Sequence, residues 1–113
     1  MIKPVIMAPA GSFESLSAAL RSGADAVYFG VGTLNMRSGA AVNFTESDLT
    51  KVMRLCRAAG VKAYLTLNII IYDNELAQVE SLLDAAASAG VDAVIASDLA
   101  VILAARRRGI PVH

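Results

Sequence analysis

The chain has almost none of the residues that small proteins use for covalent or metal-based reinforcement: one cysteine, Cys56, one histidine, His113, and no tryptophan among 113 residues. A single thiol makes no internal disulfide and holds no metal or cluster alone, which excludes a disulfide-stapled fold and a self-contained metal module. Charge of one sign is missing too, with 10 basic and 10 acidic residues and a formal net charge of zero. No broad attraction to nucleic acid or to an anionic membrane is therefore built in. Long apolar runs are also absent, because Asn68, Asp73 and Asp98 interrupt the candidates well short of the roughly 20 residues that span a bilayer. At the amino terminus Lys3 is followed by a short apolar run closed by Pro9 and Gly11, too brief for a secretory leader, so the expected location is the cytoplasm.

What is present is apolar and periodic. Hydrophobic residues make up 56% of the chain and the mean hydropathy is +0.56, so much of it must be buried. One phrase recurs: Ser22-Gly23-Ala24-Asp25-Ala26-Val27, Ala59-Gly60-Val61-Lys62-Ala63-Tyr64, Ala89-Gly90-Val91-Asp92-Ala93-Val94 and Arg108-Gly109-Ile110-Pro111-Val112-His113. Each copy follows an amphipathic stretch and leads into an apolar run, which reads as a helix stopped by glycine, a tight turn and a buried strand.

Strands are expected at Pro4–Ala8, Ala26–Gly30, Lys62–Asn68 and Ala93–Ser97, with Pro111–His113 opening a fifth. Between them, Phe13, Leu16 and Leu20 share one helical stripe, as do Leu49, Val52, Met53 and Cys56, and again Leu76, Val79 and Leu83. Helix starts are marked by Ser12, by Thr45 with Asp48 three residues later, by Asp73, and by Ser97 or Asp98. The fold class is α/β, a parallel βα repeat of four units. Since a TIM-type (βα)8 barrel takes about 250 residues, residues 1–113 amount to one partial domain, about half of such a barrel. Its outer strands leave unpaired edges. The chain is then a fragment of a longer protein, an open doubly wound sheet, or one of two copies that supply each other's edges, and the first is the preferred reading.

In such a fold the chemistry gathers at the C-terminal ends of the strands. The connection between Gly30 and Thr45 is about fourteen residues long, against two to six for a usual βα loop, and it carries Asn35, Arg37 and Asn43. Two amides around a guanidinium suit a carboxylate or phosphate, whereas the bland reading is a solvated loop with turn asparagines. Gly30 and Gly32 begin a dinucleotide fingerprint that fails, because the third glycine falls at Gly39. Asn68 follows Thr66 by two, so both point to one side of the sheet, where a polar pair needs a partner or a ligand. The catalytic residues are not identified. Asp98 is a candidate at the fourth strand end and competes with Ser97 for the helix cap, and His113 is a candidate acid–base group on the fifth strand. Cys56 reads as a small core residue, and Arg106-Arg107-Arg108 as cations at a helix C-terminus, with no aromatic partners for base stacking. No catalytic serine is indicated, with one histidine and no Gly-x-Ser-x-Gly elbow.

The blocks Met7-Ala8-Pro9-Ala10-Gly11-Ser12-Phe13-Glu14-Ser15-Leu16, Gly23-Ala24-Asp25-Ala26-Val27-Tyr28-Phe29-Gly30-Val31-Gly32, Leu34-Asn35-Met36-Arg37, Asn43-Phe44-Thr45 and Tyr64-Leu65-Thr66-Leu67-Asn68 occur in an order that resembles the amino-terminal part of the collagenase-like peptidases, peptidase family U32. Asp92-Ala93-Val94-Ile95, Ser97-Asp98-Leu99 and Pro111-Val112-His113 extend the resemblance over essentially the whole chain. It implies a βα-barrel catalytic domain acting on peptides or proteins, and it tips the loop with Asn35, Arg37 and Asn43 toward ligand binding, with Asn68 a further ligand-binding candidate from its place at the third strand end. Some branches of the family are similar to enzymes that hydroxylate RNA bases or a quinone precursor with an iron–sulfur cluster on four cysteines. Those cysteines, like the family's glycine- and cysteine-bearing peptidase signature, are not in this sequence, so no cofactor or metal is expected on the segment, which is expected to be inactive alone. A third reading is a non-enzymatic assembly module. Expected partners are the rest of the barrel or a second copy of the chain, and a peptide or small-molecule substrate in the parent protein, with no membrane and no nucleic acid for this segment.

Overall fold

The computed structural model describes residues 6–31, 44–67 and 76–113. In chain order it contains β1 (Met7–Pro9), α1 (Phe13–Arg21), β2 (Ala26–Phe29), α2 (Leu49–Ala59), β3 (Lys62–Thr66), α3 (Leu76–Ala89), β4 (Ala93–Ile95) and α4 (Leu99–Arg107). The four strands form one parallel sheet in the order β1-β2-β3-β4, the α/β βα repeat that the recurring phrase predicts. Val112 bridges Val94 in parallel, so the expected fifth strand begins at the open side of β4.

The strands are shorter than the apolar runs that encode them. Gly30 lies outside β2, and Ala96 and Ser97 lie outside β4, because the ladder stops at Phe29↔Leu65 and Thr66↔Ile95. The first strand is displaced toward the C-terminus relative to Pro4–Ala8: Ile6 precedes it and Pro9 ends it, and Pro4 and Val5 fall outside the described residues. Pro9 is tolerated at the last position of an edge strand, and Ala10 takes up the ladder by donating to the Tyr28 carbonyl at 2.9 Å. The apolar runs continue beyond the ladder as core, since Ala10, Val31 and Leu67 are all buried.

The two sides of the sheet differ. Ala8, Val27, Phe29, Ala63, Leu65 and Val94 point toward the helices and pack with Leu16, Val52, Cys56, Val79, Leu83 and Val101 into one core cluster. All four residues of the second stripe, Leu49, Val52, Met53 and Cys56, are buried as their spacing predicts. Pro9, Tyr28, Tyr64, Thr66 and Ile95 alternate to the opposite side and are half-buried or exposed, as the inner wall of an unclosed barrel would be.

Each unit ends the way the repeat encodes. Gly60 adopts φ +70°, stopping α2 while Val61 donates back to the Cys56 carbonyl at 2.9 Å. A Cβ at Gly60 would meet no atom within 4 Å, so the position is selected by backbone conformation and not by crowding. The aspartates of the phrase do something the sequence pattern did not reveal. Asp25 and Asp92 each stand one residue before a strand and accept, through Oδ2, the amide opposite them on the preceding strand: Ile6 N at 2.8 Å and Ala63 N at 2.7 Å. Their own amides donate to the same two residues' carbonyls, so each forms a closed clasp between neighbouring strands.

Candidate functional site

At the C-terminal rim the local sequence sets where each loop begins. Ser12 caps α1, its Oγ accepting from Ser15 N at 3.1 Å. Before α2 the expected Thr45/Asp48 pair forms, with Thr45 N donating to Asp48 Oδ2 at 2.8 Å, but it opens a single 3-10 turn, Glu46–Asp48, ahead of the α-helix. Val31 bridges Phe44 in parallel, which draws together the two ends of the long second connection. The Phe44 ring lies edge-on to Phe13 at 4.9 Å and to Phe29 at 5.8 Å, fixing that junction between the start of α1 and the end of β2. Lys51 Nζ sits 4.4 Å over the Phe13 ring.

Asn35, Arg37 and Asn43, on the loop rooted at this junction, lie outside the described residues, as do Asn68 and Asp73. Thr66, the expected companion of Asn68, gives its hydroxyl to the Phe29 carbonyl at 3.1 Å, so it joins β3 to the end of β2. Asp98 wins the competition with Ser97 for the last cap: its Oδ1 accepts from Ala100 N at 2.8 Å and Val101 N at 3.4 Å. The carboxylate therefore stands at the start of α4, beside the end of β4.

His113 is held by its backbone and its ring. Its amide donates to the Val94 carbonyl at 2.9 Å and its carbonyl accepts from Ala96 N at 3.4 Å. Because Val112 packs toward the helix-side core, alternation turns His113 to the inner wall. There the imidazole lies 5.4 Å from the Tyr64 ring at an interplanar angle of 46°. Tyr64 was not among the expected site residues. Its signal was in the sequence, since the period of two that puts Thr66 and Asn68 on one side of the sheet puts Tyr64 there too.

Two other groups singled out by the sequence are structural. Cys56 is fully buried and burial pushes its thiol pKa up, which keeps it protonated and inert. Arg108 bonds Asp84 at 2.6 Å, Glu80 at 3.0 Å and the Ala104 carbonyl at 2.9 Å, while Arg107 reaches Glu80 at 2.9 Å. The arginine run thus latches α4 to α3, and Arg108 with Arg107 holds the Glu80 carboxyl below its usual range. A four-cysteine cluster does not fit this segment, whose one thiol is sealed in the core. Among the described residues no group of three or more His, Cys, Asp or Glu converges to hold a metal ion. Nor, among them, is any helix long and apolar enough to cross a membrane.

A parallel βα sheet with its helices on one side, a tyrosine and a histidine on the other and capped loops at the C-terminal strand ends defines part of a TIM-barrel-like α/β protein. Solved structures agree: a glycerol uptake operon antiterminator-related protein of Thermotoga maritima matches 98% of this chain and 54% of its own at a TM-score of 0.59 and 15% identity. The tryptophan synthase alpha chain of Legionella pneumophila matches 96% and 50% at 0.57 and 20% identity. The chain belongs to peptidase family U32, whose model matches residues 11–113. It is 53% identical over 96% of its length to a protein of Porphyromonas gingivalis named collagenase, and 42% identical over 100% to an uncharacterized protease of Methanocaldococcus jannaschii. It is 35% identical over 93% to tRNA hydroxylation protein P1 of Bacillus subtilis. The chain spans 26% and 28% of the length of the first two relatives and 25% of the third.

Proposed function

We propose that this chain is the amino-terminal part of a collagenase-like peptidase that hydrolyses peptide or protein substrates. It supplies four βα units of a barrel whose remaining units complete the catalytic set, and it is inactive alone. The observation that carries this reading is the 53% identity to a collagenase across 96% of the chain, against 35% for the hydroxylation relative. In this reading the loop with Asn35, Arg37 and Asn43, together with Asn68, binds substrate at the C-terminal rim, where Arg37 suits a carboxylate. His113 is the candidate acid–base group and Asp98 a candidate for orienting it or the substrate. Full-length protein carrying this segment, purified free of host proteases, should cleave gelatin or members of a peptide library, and His113→Ala should abolish the cleavage. A wild-type protein that cleaves neither ends the proposal.

A second reading, RNA hydroxylation, draws support from the tRNA hydroxylation relatives. Deleting the gene and measuring hydroxylated nucleosides in tRNA by mass spectrometry separates the two. Loss of those nucleosides would replace the peptidase reading.

A further inference from the structure

We propose that Tyr64 is a positioning residue for His113, and that its ring, not its hydroxyl, holds the imidazole on the inner wall of the barrel. The inference rests on the peptidase reading only for the use to which His113 is put; the contact itself stands on the structure. Pro111 O and His113 N pin the start of the fifth strand to Val94 at 2.9 Å each, which fixes where the His113 Cα lies relative to β4. Val94 pairs with Leu65 on its other side, and Tyr64 is the neighbour of Ala93. Alanine at position 93 leaves the wall low between Tyr64 and the fifth strand. The Tyr64 ring reaches across this gap and meets the imidazole at 5.4 Å.

An exposed histidine at the end of a strand otherwise samples several rotamers, and an acid–base group that wanders loses the geometry that proton transfer requires. A tilted ring contact removes some of that freedom without withdrawing either ring nitrogen from hydrogen bonding. Half-burial of Tyr64 gives it the firmer seat of the two. Tyr64 therefore acts through His113 and does not itself take or give the proton.

In the full-length protein the His113 imidazole proton resonances are assigned by their loss in His113→Ala, which is unambiguous for this segment because His113 is its only histidine. Tyr64→Leu, which keeps apolar volume but removes the ring, should move those resonances to the positions of free histidine, while Tyr64→Phe should leave them near wild type. The amide spectrum of each variant confirms that the sheet is intact. In the full-length protein, Tyr64→Leu should lower kcat about tenfold with KM within about twofold, and Tyr64→Phe should restore it. Unchanged imidazole resonances in Tyr64→Leu overturn the proposal, and so does a Phe variant that behaves like Leu, since the hydroxyl would then be what matters. A parent protein that hydrolyses no peptide, with the resonances moving as expected, removes the peptidase reading and leaves the positioning role intact.

Discussion

The two rims of the sheet are built from the same residue types put to different uses. At the N-terminal rim, Asp25 and Asp92 point at strand amides, and Arg57 closes over Asp92 with bonds of 3.0 and 3.1 Å while also holding the Gly90 carbonyl at 2.8 Å. At the C-terminal rim, Ser12, Asp48 and Asp98 accept amides within a few residues of themselves and so hold helix starts. The two aspartates below join strands distant in sequence, whereas the caps above act within their own helix starts. The lower rim is therefore where stability resides, and the upper rim is where residues can change without unmaking the sheet.

Asp92→Ala is the severest test of this contrast. It removes three hydrogen bonds, leaves a half-buried strand amide without its acceptor and leaves Arg57 with the Gly90 carbonyl in place of a carboxylate, so urea denaturation should show a loss of about 2–3 kcal/mol. The same residue should give an acid signature. Burial pulls the Asp92 carboxyl upward, but Arg57 and the Ala63 amide outweigh it and hold the group below its ordinary value. Its stabilisation is then complete above the ordinary carboxylate range and is lost as pH falls through the lowered value. Asp92→Asn should flatten that part of the stability curve, and an unchanged slope would detach the clasp from the stability of the lower rim.

Gly60→Ala comes next. The site has room for a methyl group but requires a left-handed backbone, so the loss should be about 1 kcal/mol in the same denaturation experiment. A neutral outcome would mean that the turn relaxes at no cost and that the repeat's glycines are dispensable.

How much of this was legible in the sequence follows the same division. Positive-φ glycines, apolar stripes and the β-rich runs after them are local signals with fixed spacing, and they located four helices and four parallel strands. The clasps were not legible because Asp25 finds Ile6 and Asp92 finds Ala63 across 19 and 29 residues, a distance that only strand register sets. The strand ends were overcalled for the same reason: hydrophobicity continues through Leu67 and Val31 as core, whereas the ladder depends on how far the neighbouring strand runs. At the upper rim the sequence named Asp98 and His113 but not Tyr64, because a tyrosine inside a strand looks like packing until register puts an imidazole beside it.

Asp98 tests whether one residue can serve both purposes. Asp98→Ala should cost about 1 kcal/mol through the lost cap, whereas Asp98→Asn keeps an acceptor for Ala100 N and should be close to neutral. If the Asn variant of the full-length protein keeps its stability but loses peptide hydrolysis, the carboxylate charge works in the site as well as at the helix start. Equal activity in Asn and wild type would make Asp98 a cap alone.

The smallest expected effect on stability belongs to Arg37→Ala, which should stay within about 0.5 kcal/mol if the guanidinium serves substrate and not the scaffold. Its expected effect on binding is large by comparison. A guanidinium that receives a substrate carboxylate makes charge-assisted, bidentate bonds, and their removal should weaken peptide binding by the full-length protein about tenfold. Calorimetric titration with peptides carrying a free or an amidated C-terminus distinguishes this role from a general one. Arg37→Ala should erase the preference for the free carboxylate, leaving the two peptides equal. Should stability fall as much as binding does, Arg37 belongs to the scaffold, and the separation between a stabilising lower rim and a tolerant upper rim breaks.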